Sequence, residues 1–243
     1  MRAALPLLLL LGCTKGEAQD SEDTGQWYPA EGGEITLTTR DDLRLVADYF
    51  PSEVEGAPAV VLVHMIPPNW DRTSWPDSFI QSLYAQGWSV LVPDRRGAGE
   101  SEGEAVDAYL GEKGRYDVEA CALKLQEDGA GELVVIGASN GTASALDYAV
   151  WAPDEGLPVP VGLGFMTGGS YTEANTRMSE LEGTPAVFTY STDERDWSVA
   201  QQAQPSAGDW AFLEYADGAH GTHMFEAEPS VADELVSWLG GIF

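Results

Sequence analysis

Residues 133–146 read LVVIGASNGTASAL, and this stretch decides the fold. Its first four residues form an apolar, mostly β-branched run, which is typical of a strand buried on both faces. Residues 142–151 favour a helix. Between them lies Gly137-Ala138-Ser139-Asn140-Gly141, and glycines two residues before and after Ser139 relieve the crowding at a sharp strand-to-helix turn. The stretch therefore predicts a turn that presents Ser139 at the N-terminus of a helix, whose dipole points at the reacting centre.

The sequence on either side alternates short apolar runs with helical stretches. A hairpin is indicated at 34–50, where two strand-like segments flank an Arg40-Asp41-Asp42 turn. Further strands are predicted at 59–63, 89–92, 161–166, 186–190 and 210–215, and further helices at 77–86, 116–127 and 231–239. This alternation predicts an α/β fold, with a mainly parallel sheet covered on both faces and the hairpin as its antiparallel edge.

The charge balance limits the choice of partners. Twelve basic residues against forty acidic ones give a formal net charge of −28. A surface this negative repels nucleic acid, anionic headgroups and polyanionic substrates, so none of these is an expected ligand. The remaining composition, 44% hydrophobic over 243 residues, suits one well-buried domain.

The N-terminus has the pattern of an export signal. Arg2 precedes an apolar run from Leu5 to Leu11 that is too short to span a bilayer, and Gly12 then precedes Cys13. Leu10-Leu11-Gly12-Cys13 resembles a bacterial lipobox, in which the cysteine is lipidated after cleavage. We expect a signal peptide at 1–12, a lipidated Cys13 with a flexible tether at 13–33, and the folded domain at 34–243, anchored to a membrane of the bacterial cell envelope by lipid only.

A second segment, Gly99-Glu100-Ser101-Glu102-Gly103, has the same Gly-x-Ser-x-Gly pattern as residues 137–141. Ser101 lies well past its strand, between two glutamates that would oppose an attacking alkoxide. Context therefore favours Ser139 as the nucleophile, and Ser101 as a structural residue.

The order of elements, the Ser139 segment and Pro93-Asp94-Arg95-Arg96-Gly97-Ala98-Gly99-Glu100-Ser101 together resemble the α/β-hydrolase family, from about Glu34 to the C-terminus. The resemblance implies a catalytic triad in the chain order serine, acid, histidine, and an oxyanion hole made by the backbone amides of Asn140 and Ile66. His64-Met65 is similar to the family's His-Gly oxyanion segment, with Met65 in place of the usual glycine. The short connection after the sixth strand is similar to small lidless members that resemble dienelactone hydrolases.

The base and the acid are predicted in the loops after the last strands. The resemblance implies that His220, in Ala219-His220-Gly221, is the catalytic base, with His223 as the alternative. Three carboxylates lie directly after the strand at 186–190. The family's usual register favours Glu194, and Asp193 or Asp196 remain alternatives.

These observations predict a serine esterase that cleaves small neutral substrates through an acyl-enzyme. Two rival hypotheses remain: a catalytically silent binding lipoprotein with the same fold, and a peptidase or acyltransferase that uses the same residues. No cofactor is expected, and no metal, because the sequence has neither a CxxC motif nor a Cys/His cluster. Cys121 fits a small buried hydrophobe.

Overall fold

The computed structural model describes residues 27–171, 177–181 and 183–243. The predicted signal peptide, Cys13 and most of the predicted tether therefore lie outside the described residues. Within the described ranges, no helix is both long enough and apolar enough to cross a bilayer.

The described residues form eight strands and seven α-helices. The strands are β1 (Gly33–Thr38), β2 (Arg44–Phe50), β3 (Ala59–Val63), β4 (Ser89–Pro93), β5 (Leu133–Ala138), β6 (Gly162–Met166), β7 (Ala186–Ser191) and β8 (Trp210–Tyr215). The helices are α1 (Asp77–Tyr84), α2 (Ala105–Tyr109), α3 (Arg115–Glu127), α4 (Gly141–Glu155), α5 (Asp196–Gln201), α6 (Met224–Ala227) and α7 (Ser230–Ile242).

The strands form one open sheet in the order β1-β2-β4-β3-β5-β6-β7-β8. β2 pairs antiparallel with β1 on one side and with β4 on the other, whereas β3 to β8 run parallel to one another. The predicted parallel sheet with an antiparallel hairpin at its N-terminal edge is confirmed. Val63 pairs with Gly137 in the centre of the sheet, so the segments that leave β3 and β5 emerge side by side.

The sheet is buried on both faces, as its continuous apolar runs predict. Alternate residues of β3 show the two layers. Val61 packs in the cluster that contains Val118 of α3 and Leu146 of α4. Val60 packs in the opposite cluster, beside Leu83 of α1. Because successive side chains of a strand point to opposite faces, one five-residue strand holds both helix layers in place.

The connection between β6 and β7, residues 167–185, is too short for a cap domain. Its described part contains one 3₁₀ turn, Met178–Leu181. The carboxyl edge of the sheet therefore has no large insertion over it at this point.

Candidate active site

Ser139 lies at the turn between β5 and α4, near the centre of the sheet. Its φ of 51° is left-handed, which is a strained conformation for a residue with a Cβ. A Cβ on Gly137 would lie 2.6 Å from the backbone of Gly141, and a Cβ on Gly141 would lie 2.4 Å from the carbonyl oxygen of Val63. Both glycines are thus required by space, because the turn presses the first residue of α4 against β3.

His220 reaches Ser139 from the loop after β8. Its Nε2 lies 2.6 Å from Ser139 Oγ, although 81 residues separate the two in sequence. The loop is tightly bent on both sides, with φ of 57° at Ala219 and at Gly221. A Cβ on Gly221 would lie 2.3 Å from Met65 Sδ, so this glycine is needed both for its backbone conformation and for its small size.

Glu194 is the carboxylate that meets the imidazole. Its Oε2 lies 2.5 Å from His220 Nδ1, and it ends a 3₁₀ turn, Thr192–Glu194, directly after β7. An ionised carboxylate can only accept a hydrogen bond, so Nδ1–H donates to Glu194 and Nε2 is left to accept from the serine hydroxyl. The side chains of His220 and Glu194 are both partly exposed, at 41% and 39%.

The other candidates for base and acid point elsewhere. Asp193 Oδ1 accepts a hydrogen bond from Ser191 Oγ at 2.6 Å. Asp196 is the first residue of α5. His223 is exposed, and its ring packs edge-on against Trp70 with a centroid separation of 4.8 Å. The described contacts therefore bring Ser139, His220 and Glu194 together, and leave these three outside that chain of hydrogen bonds.

The predicted oxyanion donors lie on the two segments that emerge from β3 and β5. Ile66 is 36% exposed, and Asn140 directly precedes α4. Among the described residues, neither backbone amide has a hydrogen-bond acceptor. A free N–H beside Ser139 and at a helix N-terminus, as at Asn140, is suited to receive a developing negative charge.

His64 is buried, and both of its ring nitrogens have partners other than Ser139. The amide of Arg95 donates to its Nε2 at 2.8 Å, so Nδ1 carries the proton and donates to the carbonyl of Met65, also at 2.8 Å. Burial lowers the pKa of His64 far below its usual range, and the nearby charge of Arg95 lowers it further. His64 is therefore held neutral as a link between β4 and the oxyanion segment.

Ser101 has two structural hydrogen bonds. Its Oγ accepts from the amide of Val46 and donates to the carbonyl of Asp94. These bonds tie the loop after β4 to the N-terminal hairpin, and they leave the Ser101 hydroxyl without a neighbouring imidazole.

Two residues near the site were missed by the sequence reasoning as functional candidates. Thr167, just after β6, has a φ of 47°, which is unusual for a β-branched residue, and its Oγ1 accepts from the amide of Gly221 at 2.7 Å. The guanidinium of Arg95 binds Met65 and Asn140, and so joins the two segments that carry the predicted oxyanion donors. The sequence signal that could have pointed to Arg95 was the pair of adjacent arginines in Asp94-Arg95-Arg96-Gly97. No sequence pattern marks Thr167.

A shallow depression of about 390 Å³ adjoins the imidazole, lined by Ser191, Asp193, Glu194, Ala216, Asp217, Ala219 and His220. A larger cavity of about 570 Å³ lies at the opposite, amino edge of the sheet, beside Ala57 and Ser89. Because it is remote from Ser139, we assign it no part in the site. Trp75 is buried in the core and Trp197 packs on Phe165 and Phe188, and neither lines the depression.

Within the described residues, no group of three His, Cys, Asp or Glu side chains is placed to hold a metal ion. Cys121 is buried, and burial raises the pKa of its thiol well above the usual range. Its environment therefore disfavours the reactive thiolate.

A family model described as serine aminopeptidase, S33, matches residues 57–159, which is less than half of the chain. No curated protein matches the sequence. Among solved structures, an esterase of Pyrococcus furiosus, Pf2001, superposes with a TM-score of 0.65 at 14% identity, covering 87% of this chain and 90% of that one. The α/β hydrolase GrgF from Penicillium sp. sh18 gives 0.66 at 12% identity, with coverages of 86% and 97%.

Brefeldin A esterase, a bacterial homologue of human hormone-sensitive lipase, gives a TM-score of 0.64 at 18% identity and covers 87% of this chain and 75% of that one. At these identities the likeness concerns the fold. Together with the strand order and the turn at Ser139, it establishes that this chain has the α/β-hydrolase fold.

Proposed function

We propose that the protein is a serine hydrolase that cleaves carboxylic esters of small neutral substrates through an acyl-enzyme. The observation that carries the proposal is the unbroken line of hydrogen bonds from Ser139 Oγ through the imidazole of His220 to Glu194, at 2.6 and 2.5 Å. A serine hydroxyl is a weak nucleophile until an imidazole takes its proton, and this arrangement supplies that base.

In the proposed reaction, Ser139 Oγ attacks the ester carbonyl carbon as its proton passes to His220 Nε2. The carbonyl oxygen becomes an oxyanion that accepts hydrogen bonds from the amides of Asn140 and Ile66. The intermediate then collapses: the carbon–oxygen bond to the alcohol breaks, and the alcohol leaves with the proton held by His220. Water then attacks the acyl carbon as it gives a proton to the same imidazole, the bond from that carbon to Ser139 Oγ breaks, and His220 returns the proton to Ser139 as the carboxylic acid leaves.

Glu194 has an electrostatic and orienting role in this cycle. It fixes the Nδ1–H tautomer of His220 and stabilises the imidazolium that forms in each half-reaction. Because Glu194 is partly exposed, water screens its interaction with the imidazolium, so it contributes less stabilisation than a fully buried acid would.

The substrate preference is proposed from the open site and the charge. The carboxyl edge carries no large insertion, a feature shared with small lidless hydrolases that resemble dienelactone hydrolase, and this favours small substrates. Asp193, Glu194 and Asp217 line the depression beside His220, and the whole chain carries a formal charge of −28. Neutral or cationic esters are therefore favoured over anionic ones.

A peptidase is the second candidate, since the matching family model is described as a serine aminopeptidase. The carboxylates of the depression, Asp193 and Asp217, are of the sign that an α-ammonium group requires. An acyltransferase would use the same residues with an alcohol in place of water. A catalytically silent binding protein is disfavoured, because binding alone requires no aligned serine, imidazole and carboxylate.

A fluorophosphonate probe tests the proposal. The wild type should be labelled covalently, Ser139→Ala should not, and Ser101→Ala should be labelled like the wild type. A folded wild type that takes no label would support the silent binding protein. Hydrolysis of p-nitrophenyl esters of increasing chain length, measured beside aminoacyl p-nitroanilides, then separates esterase from aminopeptidase.

We also propose that the chain is a lipoprotein of the bacterial cell envelope, cleaved before Cys13 and held at a membrane by lipid on that cysteine. The proposal is supported by the Leu10-Leu11-Gly12-Cys13 pattern. Replacement of Cys13 by serine should move the protein from the membrane fraction to the soluble fraction. Unchanged membrane association in that variant would refute lipid anchoring.

A further inference from the structure

Arg95 lies completely buried beneath the two segments that carry the proposed oxyanion donors. Its Nη1 donates to the carbonyl of Met65 at 3.1 Å and to Asn140 Oδ1 at 3.0 Å, with a longer contact of 3.3 Å to the carbonyl of His64. One nitrogen therefore joins the residue before Ile66 to the residue after Ser139.

The rest of the side chain anchors this link to the scaffold. Nη2 donates to the carbonyl of Ala108 at 2.6 Å and to Ser144 Oγ at 2.9 Å. The backbone amide of Arg95 also donates to His64 Nε2. Arg95 thus binds the segment after β3 through both its backbone and its side chain, and it binds Asn140, just before α4, and Ser144, in the first turn of α4.

The contacts of Arg95 differ from those of the neighbouring arginine. Within the described residues, the five acceptors in hydrogen-bond range of its Nη1 and Nη2 are all uncharged oxygens. Arg96, equally buried by side-chain exposure, donates instead to the carboxylates of Asp117 and Asp41. Burial lowers the pKa of Arg95 to about 10, while Asp117 and Asp147 partly oppose that shift. The side chain therefore remains a cation at neutral pH.

A buried cation held only by neutral acceptors is a costly way to stabilise a fold, and an apolar side chain of the same length would serve packing better. What a guanidinium offers instead is a rigid planar fork with five donors that can fix several acceptors at set separations. Three of the acceptors fixed here, on His64, Met65 and Asn140, belong to the two segments that carry the proposed oxyanion donors.

We propose that Arg95 is a positioning residue for the oxyanion hole, holding the amides of Ile66 and Asn140 at the separation that the tetrahedral intermediate requires. The inference depends on the proposed hydrolase function, because it assigns those two amides their role. It predicts that Arg95 affects the transition state more than substrate binding, and that part of its effect passes through the side chain of Asn140.

The main test compares Arg95→Met with the wild type, with kcat calculated per serine titrated by the fluorophosphonate so that unfolded molecules do not count. We expect kcat to fall about 10- to 100-fold with KM within about twofold, less than the loss of a whole oxyanion donor. A trifluoromethyl ketone, which forms an oxyanion on Ser139, should lose affinity in proportion to kcat/KM. Arg95→Lys keeps the charge without the fork and should recover only part of the loss.

Arg96→Met is the matched control for the removal of a buried arginine. It leaves Asp117 buried without its cation, so it should lower the denaturation midpoint more than Arg95→Met. Because Arg96 does not contact the oxyanion segments, its kcat per titrated serine should stay within about twofold of the wild type. A purely structural Arg95 would behave like Arg96.

Asn140→Ala keeps Arg95 and the backbone amide, and it tests the inference even where Arg95→Met fails to fold. It should lower kcat about 5- to 10-fold with KM unchanged, and combining it with Arg95→Lys should cost less than the product of the single effects. An active wild type whose Asn140→Ala and Arg95 variants retain kcat and ketone affinity would overturn this inference alone. A wild type that is folded, unlabelled and inert would overturn the proposed function and this inference with it.

Discussion

Replacing Glu194 by glutamine isolates the carboxylate charge at nearly constant shape. In the structure this carboxylate lies 2.5 Å from His220 Nδ1, so in the proposed reaction it would face the imidazolium that forms as Ser139 attacks. Glutamine keeps an oxygen that can accept from Nδ1–H, but it removes the negative charge that stabilises the imidazolium. The variant should therefore lose rate rather than substrate affinity.

The magnitude can be worked out from distance and exposure. Two unit charges about 4 Å apart interact by about 4 kcal/mol at an effective dielectric of 20 and by about 1 kcal/mol in water. With both side chains about 40% exposed, the pair lies between these limits. A hydrogen bond to a charged group contributes about 1.5–3 kcal/mol, which gives the same range. We therefore expect a loss of about 2–3 kcal/mol, or roughly 30- to 150-fold in kcat/KM.

The assay is hydrolysis of a short p-nitrophenyl ester, with kcat and KM measured separately and the active serines titrated. Asp193→Asn and Asp196→Asn are the matched controls, since neither carboxylate contacts His220; each should stay within about threefold of the wild type. A loss below about threefold in Glu194→Gln, or an equal loss in Asp193→Asn, would refute Glu194 as the partner of His220.

Three further changes test the supports of the site. Thr167→Val removes the acceptor of the buried Gly221 amide, so it should lower the free energy of unfolding by about 1–3 kcal/mol and also lower kcat. Thr167→Ser keeps the hydroxyl and should keep both values near those of the wild type. Equal behaviour of the two variants in urea unfolding and esterase assays would contradict this role. The pKa of His64 is lowered in the folded protein, so below about pH 6.5 the unfolded chain binds one proton more than the folded chain at this residue. The free energy of unfolding therefore falls as the pH falls, by up to about 1.4 kcal/mol per pH unit. His64→Gln should show a shallower fall in urea midpoints between pH 7.5 and 4.5; an unchanged slope would count against a neutral buried imidazole. Ser101→Ala should lose about 1–2 kcal/mol of stability, because the amide of Val46 loses its acceptor, while the fluorophosphonate labelling rate stays unchanged; a reduced rate would place Ser101 in the chemistry.

Most of the sheet could be predicted from the sequence because its strands are buried on both faces and read as unbroken apolar runs. β3 and β8 have the predicted bounds, 59–63 and 210–215. α4 continues to Glu155, beyond its predicted end at 151, because Pro153 is accommodated in the last turn and Gly156 then ends the helix in a left-handed conformation.

Short helices were not predicted. α2, α5 and α6 have five, six and four residues, too few for a hydrophobic period to repeat. They form because loops at the carboxyl edge of the sheet pack against the strands and helices around them, which is a tertiary cause with no local signature.

The carboxylate that contacts His220 could not be singled out from the residues alone, because Asp193 and Glu194 are adjacent and chemically alike. What separates them is the 3₁₀ turn after β7, which directs Asp193 back to Ser191 and Glu194 outward to the imidazole. Likewise, Arg95 and Arg96 are neighbours of the same type. Only the packing of the segment after β4 against α4 and the segment after β3 decides which of them meets carboxylates and which meets Asn140.

The uneven placement of charge links the fold to the proposed chemistry. With forty acidic residues against twelve basic ones, the surface potential opposes any negative charge that develops on a substrate. Salt screens that surface contribution over about 10 Å, but a charge enclosed by protein is screened much less. Arg95 is completely buried beneath the proposed oxyanion donors. Salt therefore screens its positive charge less than it screens the charges at the surface. We therefore expect the acidic exterior to be compatible with the proposed oxyanion-forming reaction, because a buried cation lies beneath the proposed donors.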